Sequence, residues 1–150
     1  MLLHQDNKFI YNLAAAIKLP NNIYLDPCPD ACPIEGMVFY SQDQRARAEI
    51  NFVETEADAR AFLEEEGECY ESFQCLKPIA AISTNGVNGF TMTFATTYHI
   101  YEEYAFSLPG NEPTLLNICI EQQKSKPADV LQCAQLVAEL LAGITLLYPC

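Results

Sequence analysis

The chain predicts an α+β fold: a single twisted antiparallel sheet of about six strands, with N-terminal, middle and long C-terminal helices packed on its inner face. Three observations predict it. Residues 75–123 read as four antiparallel strands in succession, with Asn85-Gly86 as a tight turn and Pro109-Gly110-Asn111-Glu112-Pro113 as a looser one. The runs between these turns alternate apolar and polar residues, so each buries one side. Apolar residues at helical spacing before, between and after the strands supply the cover. A chain of 150 residues, half of them hydrophobic, fits one domain with an ordinary core, spanning residues 1–150.

The first element is predicted as a helix. Phe9, Ile10, Leu13, Ala14 and Ile17 recur on one helical face, Asp6 or Asn7 stands where a cap belongs, and Leu19-Pro20-Asn21-Asn22 would end it. Asn22–Leu25 reads as a short edge strand. Residues 26–33 hold three prolines, which remove backbone donors and fix φ, so this segment is a loop. Met37–Ser41 and Arg45–Val53 form a hairpin, with Ala46, Ala48, Ile50 and Phe52 on its buried side.

A middle helix starts at Thr55-Glu56-Ala57-Asp58, runs to about Glu66 and stops at Gly67, burying Ala59, Phe62 and Leu63. The meander follows as Leu76–Ser83, Val87–Thr96, Ile100–Leu108 and Leu115–Gln122, with the turn at 97–99 marked by neither Gly nor Pro. Phe90, Met92 and Phe94 face inward with Tyr104, Phe106, Leu108, Leu116, Ile118 and Ile120. Thr91, Thr93, Ala95, Tyr101, Glu103, Ala105, Ser107, Asn117, Cys119 and Glu121 face outward. The last helix begins near Pro127 and Asp129, and its stripe is Val130, Leu131, Ala134, Val137, Leu140, Leu141, Ile144 and Leu147.

The order helix, strand hairpin, helix, four-strand meander, long helix is similar to the PsbP-like α+β domains. The resemblance is carried by Ile50-Asn51-Phe52-Val53 leading into Thr55–Glu66, by Pro78–Phe94 with Asn85-Gly86-Val87-Asn88-Gly89, and by Tyr104–Leu108. It implies a binding or assembly module and transfers no functional residue.

Charge narrows the function classes. The net charge is −12, with only 8 Lys and Arg, and these form no basic run. Phosphate backbones and anionic bilayers both demand cationic clusters, so neither nucleic acid nor a membrane surface is an expected partner. The N-terminus lacks the basic and unbroken apolar regions of a signal peptide, and no run of eighteen apolar residues occurs, so a cytoplasmic location is expected. Seven cysteines leave at least one unpaired, and reduced thiols fit that compartment.

No catalytic motif stands out, and no cofactor is implied. Cys28-x-x-x-Cys32 lacks the second close pair that a zinc site wants. Whether Cys28 and Cys32, or Cys69 and Cys75, form disulfides stays open. His99 has no evident thiol or hydroxyl partner, and neither a nucleophile elbow nor a glycine-rich phosphate loop occurs. Two surfaces remain as candidates. A flat outward sheet face that includes Thr91 and Thr93 suits a protein partner or a homodimer. A cleft near His99, Tyr101 and Glu102 suits a small molecule or a reaction, and burial of Glu102 would raise its pKa.

Overall fold

A computed structural model describes residues 4–5, 9–11, 15–18, 23–25, 36–41, 45–70, 72–109, 113–127 and 130–146. The expected cap at Asp6 or Asn7, the proline loop at 26–33 and the Cys28/Cys32 pair lie outside them. The fold is mostly β. The strands are β1 His4–Gln5, β2 Phe9–Tyr11, β3 Ala15–Lys18, β4 Ile23–Leu25, β5 Gly36–Ser41, β6 Ala46–Glu54, β7 Gln74–Thr84, β8 Val87–Ala95, β9 His99–Leu108, β10 Thr114–Gln123 and β11 Ile144–Leu146; the helices are α1 Ala59–Glu68 and α2 Val130–Ala142. A seven-stranded sheet runs β4-β5-β6-β10-β9-β8-β7, and a small one runs β1-β2-β3-β11. All the strand pairs are antiparallel.

This overturns the expected single six-strand sheet with three helices on one side. The N-terminal helix is instead a hairpin, with Phe9 opposite Lys18 and Tyr11 opposite Ala16. In β3, Ala15 and Ile17 are fully buried between less buried neighbours, a period of two inside what reads as a period of 3.6. The C-terminal helix is also shorter than expected. It ends at Ala142, and the chain turns at Gly143 so that Ile144 pairs with Ile17. A Cβ at Gly143 would lie 2.5 Å from the Lys18 carbonyl oxygen, and the Lys18 amide donates to the Gly143 oxygen at 2.9 Å. The glycine therefore lets the chain leave the helix and meet β3 at close range. Within α2, Leu136, Val137 and Leu140 are buried and Ala134 is exposed, so the stripe is narrower than its sequence predicts.

The middle helix starts later than expected. Asp58, not Thr55, is the cap: its Oδ1 accepts from the Ala61 amide at 2.7 Å. Thr55 accepts from the Ala57 amide, bending the chain just upstream. Gly67 lies inside the helix, which ends at Glu68.

The main correction concerns the faces. Cross-strand register places Phe90 opposite Ala105 and Phe94 opposite Tyr101, whereas Tyr104 lies opposite Thr91. The two bulky rows therefore lie on opposite sides of the sheet. On one side α1 covers Met92, Phe94, Tyr101, Ala105 and Leu115 with Ala59 and Leu63. On the other, α2 and the small sheet cover Ile50, Phe52, Tyr104, Phe106, Leu116 and Ile118 with Leu140, Ile17 and Ile144. A strand's own alternation tells which of its residues share a side; only pairing tells which side a neighbour's residues share.

The Asn85-Gly86 turn has φ of 49° and 79°, the two positive values of a type I′ hairpin. The Asn85 amide donates to the Ala142 and Ile144 carbonyls at 2.8 and 2.9 Å, so the hairpin tip satisfies the end of α2. The expected edge strand at 22–25 is β4, and β7 forms the opposite edge.

Candidate functional site

The flat outward face expected to receive a partner does not form as one surface: Thr91 and Thr93 lie on the other side of the sheet from Tyr101 and Ala105. Ala105 and Tyr101 lie in the core beneath α1, and Asn117 is buried with its side-chain amide donating to the Tyr104 carbonyl at 3.0 Å. The five candidate residues divide between the two sides of the sheet. His99 and Tyr101 share the α1 side, their rings 5.9 Å apart. Glu121 joins them: its Oε2 accepts from Arg47 at 3.0 Å, and its Oε1 lies 3.8 Å from His99 Nε2. Burial, then the Glu121 carboxylate, pushes the Tyr101 hydroxyl up to about 12. Glu102, Thr91 and Thr93 share the α2 side. Tyr104 donates to Glu102 Oε1 at 2.7 Å, and Thr91 Oγ1 donates to the Glu103 carbonyl at 2.9 Å. The structure thus brings together two of the five residues and, separately, the other three.

The deeply buried carboxylate is not the candidate Glu102, which is half-buried, but its neighbour. Glu103 is 2% exposed, and its Oε2 has no hydrogen-bond partner. It stands in a row across the sheet, with Cys119 on β10 beside it and Glu49 on β6 beyond. Burial, then the Glu66 charge of α1, pushes its pKa up to about 8, while a hydrogen bond from the Cys119 thiol works the other way. Burial also raises Glu66, with Glu49 adding to it, and holds Cys119 well above the ordinary thiol range. At neutral pH Glu103 is a neutral acid and Cys119 a thiol, so this row is no activated nucleophile. Sequence reasoning missed it because Glu103, Cys119 and Glu49 meet only through register. A partial signal existed in the odd positions Tyr101, Ala105 and Leu115, which are too apolar for a wet face. Among the described residues, no three His, Cys, Asp or Glu side chains are gathered to hold a metal. Cys69 and Cys75 are exposed thiols, unbonded to each other.

The open edge of the sheet is the other candidate. The N-terminal half of β7 is irregular: register shifts fall between Cys75 and Lys77 and between Lys77 and Ala80, around Pro78. A proline, a lysine and bulges are devices that keep an edge from pairing. The remainder, Ala80–Thr84, pairs regularly with β8 and carries no proline and no charge. Because Thr84 and Val87 close a two-residue type I′ turn, they exchange hydrogen bonds, as do Ile82 and Gly89. Ala81 and Ser83 consequently turn their backbone N–H and C=O groups outward. Both residues are exposed. A concavity of about 1230 Å³ runs along this edge, lined among others by Ala81, Ser83, Asn85, Phe90, Leu108 and Leu146, with no Asp, Glu, Lys or Arg in its described lining.

The fold and these surfaces define a class: an antiparallel sheet sheathed on both sides, with a buried acid on the side that α1 covers and an edge that no described residue pairs. No family model matches the chain, and no curated protein matches it in sequence. Among solved structures it is similar to LpqN, a protein involved in cell envelope biogenesis of Mycobacterium tuberculosis, at 13% identity and a TM-score of 0.65 over 95% of this chain and 87% of that one. It is also similar to a protein of Bacteroides thetaiotaomicron at 11% identity and a TM-score of 0.51, covering 88% of this chain but only 44% of that structure. These identities show a shared fold and nothing finer. No described helix is long and apolar enough to cross a membrane.

Proposed function

We propose that this chain is a non-enzymatic binding or assembly module whose working surface is the β7 edge. The observation that carries the reading is the contrast between the two halves of that strand: one is blunted against pairing, the other is bare, regular and bordered by a charge-free concavity in a chain of net charge −12. The proposed kinship with PsbP-like domains supports the same reading, since that resemblance implies binding rather than catalysis. Crosslinking of the tagged chain in its own cells tests it: a stoichiometric partner is expected. Recovery of the chain alone, together with a light-scattering mass of one 16.8 kDa chain, would remove both the partner and the homodimer versions.

A second reading, a small-molecule binder or enzyme acting between the sheet and α1, is favoured by Glu103, a buried acid with an unpartnered oxygen. Its test is a ligand screen read by thermal shift, where hits must lose their effect in Glu103→Gln. Hits indifferent to that change, or no hits, remove this reading.

A further inference from the structure

We infer that the Ala80–Thr84 edge takes an extended, non-acidic peptide segment of another protein as an eighth strand. The inference rests on the binding-module reading and names the partner class for it. Strand addition needs a row of outward main-chain groups, a flat approach and nearby pockets for alternate side chains. Ala81 and Ser83 supply the main-chain groups, and no described residue pairs with them. The approach is flat because the exposed side chains at 80, 81 and 83 are all small. The concavity supplies the pockets, apolar at Phe90, Leu108 and Leu146 and hydrogen-bonding at Ser83 and Asn85. Its N-terminal limit is set by the bulge at Pro78, so the added strand is short: five residues span about 17 Å at roughly 3.4 Å each.

Charge selects among occupants. A second copy would bring another −12 against the first, and repulsion between like-charged bodies opposes that at ordinary salt. The lining has no cation to hold an acidic segment, and Lys77 is the only charge on β7. A neutral or basic segment with alternating apolar and small polar residues fits both the lining and the field.

The experiment uses a displayed random heptapeptide library panned on the full chain, with counter-selection on the Ala81→Pro variant. Proline is tolerated where an edge N–H faces out, and Pro78 already occupies this strand, so the variant removes one outward donor without touching the β8 pairing. Ala81→Glu, which keeps the backbone donor and adds a charge, is the second variant. The expected result is a consensus of alternating apolar residues poor in Asp and Glu. The synthetic consensus peptide should bind the native chain, slow amide exchange at Ala81 and Ser83, and lose at least tenfold in affinity to both variants. Tyr98→Ala, an exposed change in the β8–β9 turn, should leave binding unaltered. No enrichment, an acidic consensus, or equal binding to Ala81→Pro would overturn the inference, as would a native dimer that Ala81→Pro dissociates. A crosslinked cellular partner retained by Ala81→Pro would overturn the edge assignment while leaving the module reading intact; absence of any partner, with no enriched peptide, would remove both.

Discussion

Glu103 shows what one buried acid does to the energetics of the chain. In the folded protein it holds its proton up to a pH of about 8, whereas unfolded it would release it near 4.5. Between these values the native state binds more protons than the unfolded state, so stability falls as pH rises through that window and levels off above it. Each unit of separation is worth about 1.4 kcal/mol, which predicts a loss of several kcal/mol. Urea unfolding at pH 5, 7 and 9 checks this. Glu103→Gln should flatten the profile and be the more stable protein at pH 9; an unchanged slope would place the proton elsewhere. Gly89 sets a second test at this scale. A Cβ there would run into the Ala105 carbonyl oxygen and lie 2.8 Å from the Phe106 ring. Gly89→Ala should destabilise by about 3 kcal/mol, as overpacking does where backbone has no room to yield, and denaturant midpoints will show it. The importance of neither residue was legible in the sequence. Glu103 reads as an outward strand residue, and Gly89 reads as an ordinary position early in the strand Val87–Thr96; register makes the one a buried acid and the other a contact point.

At the scale of elements, the strands from β6 to β10 were legible to within two residues at each end because their period-two patterns are long, and because Asn-Gly marks the β7–β8 turn and proline the β9–β10 turn; the β8–β9 turn carries neither signal. The N-terminal hairpin was not, because five apolar positions over two turns suit a helix as well as two short strands, and only pairing with β11 decides between them. The end of α2 was hidden similarly: Ile144 and Leu147 continue a helical stripe, and the reason to stop is the approach of Lys18. Asn85 joins these elements. Its side chain donates twice to the α2–β11 junction while its backbone sits at positive φ. Asn85→Ala should cost about 2 kcal/mol through the lost hydrogen bonds and the left-handed backbone, whereas Asn85→Gly keeps the turn and isolates the hydrogen bonds. Thermal unfolding of the pair separates the two contributions; equal losses would show that the turn geometry contributes nothing.

For the whole molecule, the two-sided sheath explains why the expected layering failed while most expected core residues are nonetheless buried. Met92 and Phe94 of β8 and Tyr104, Phe106 and Leu108 of β9 are under cover as expected, but under different helices, so the expected partner face is divided between two sides and the available surface moves to an edge. The negative charge acts at this scale too. With 20 Asp and Glu against 8 Lys and Arg, self-repulsion opposes compactness, and raising NaCl from 10 to 500 mM should raise Tm by roughly 3 °C. A Tm that falls with salt would mean that specific pairs such as Arg47–Glu121 outweigh the overall field.

The small sheet has a temporal consequence. Ile17 finds its partner at Ile144, so on a ribosome adding about 5–20 residues per second the early hairpin waits roughly 6–25 s for the strand that completes it. During that interval Ala15 and Ile17 of β3 lack the cover that α2 and β11 supply. A nascent chain of this protein should therefore recruit holdase chaperones to the β3 segment, and release them when β11 emerges.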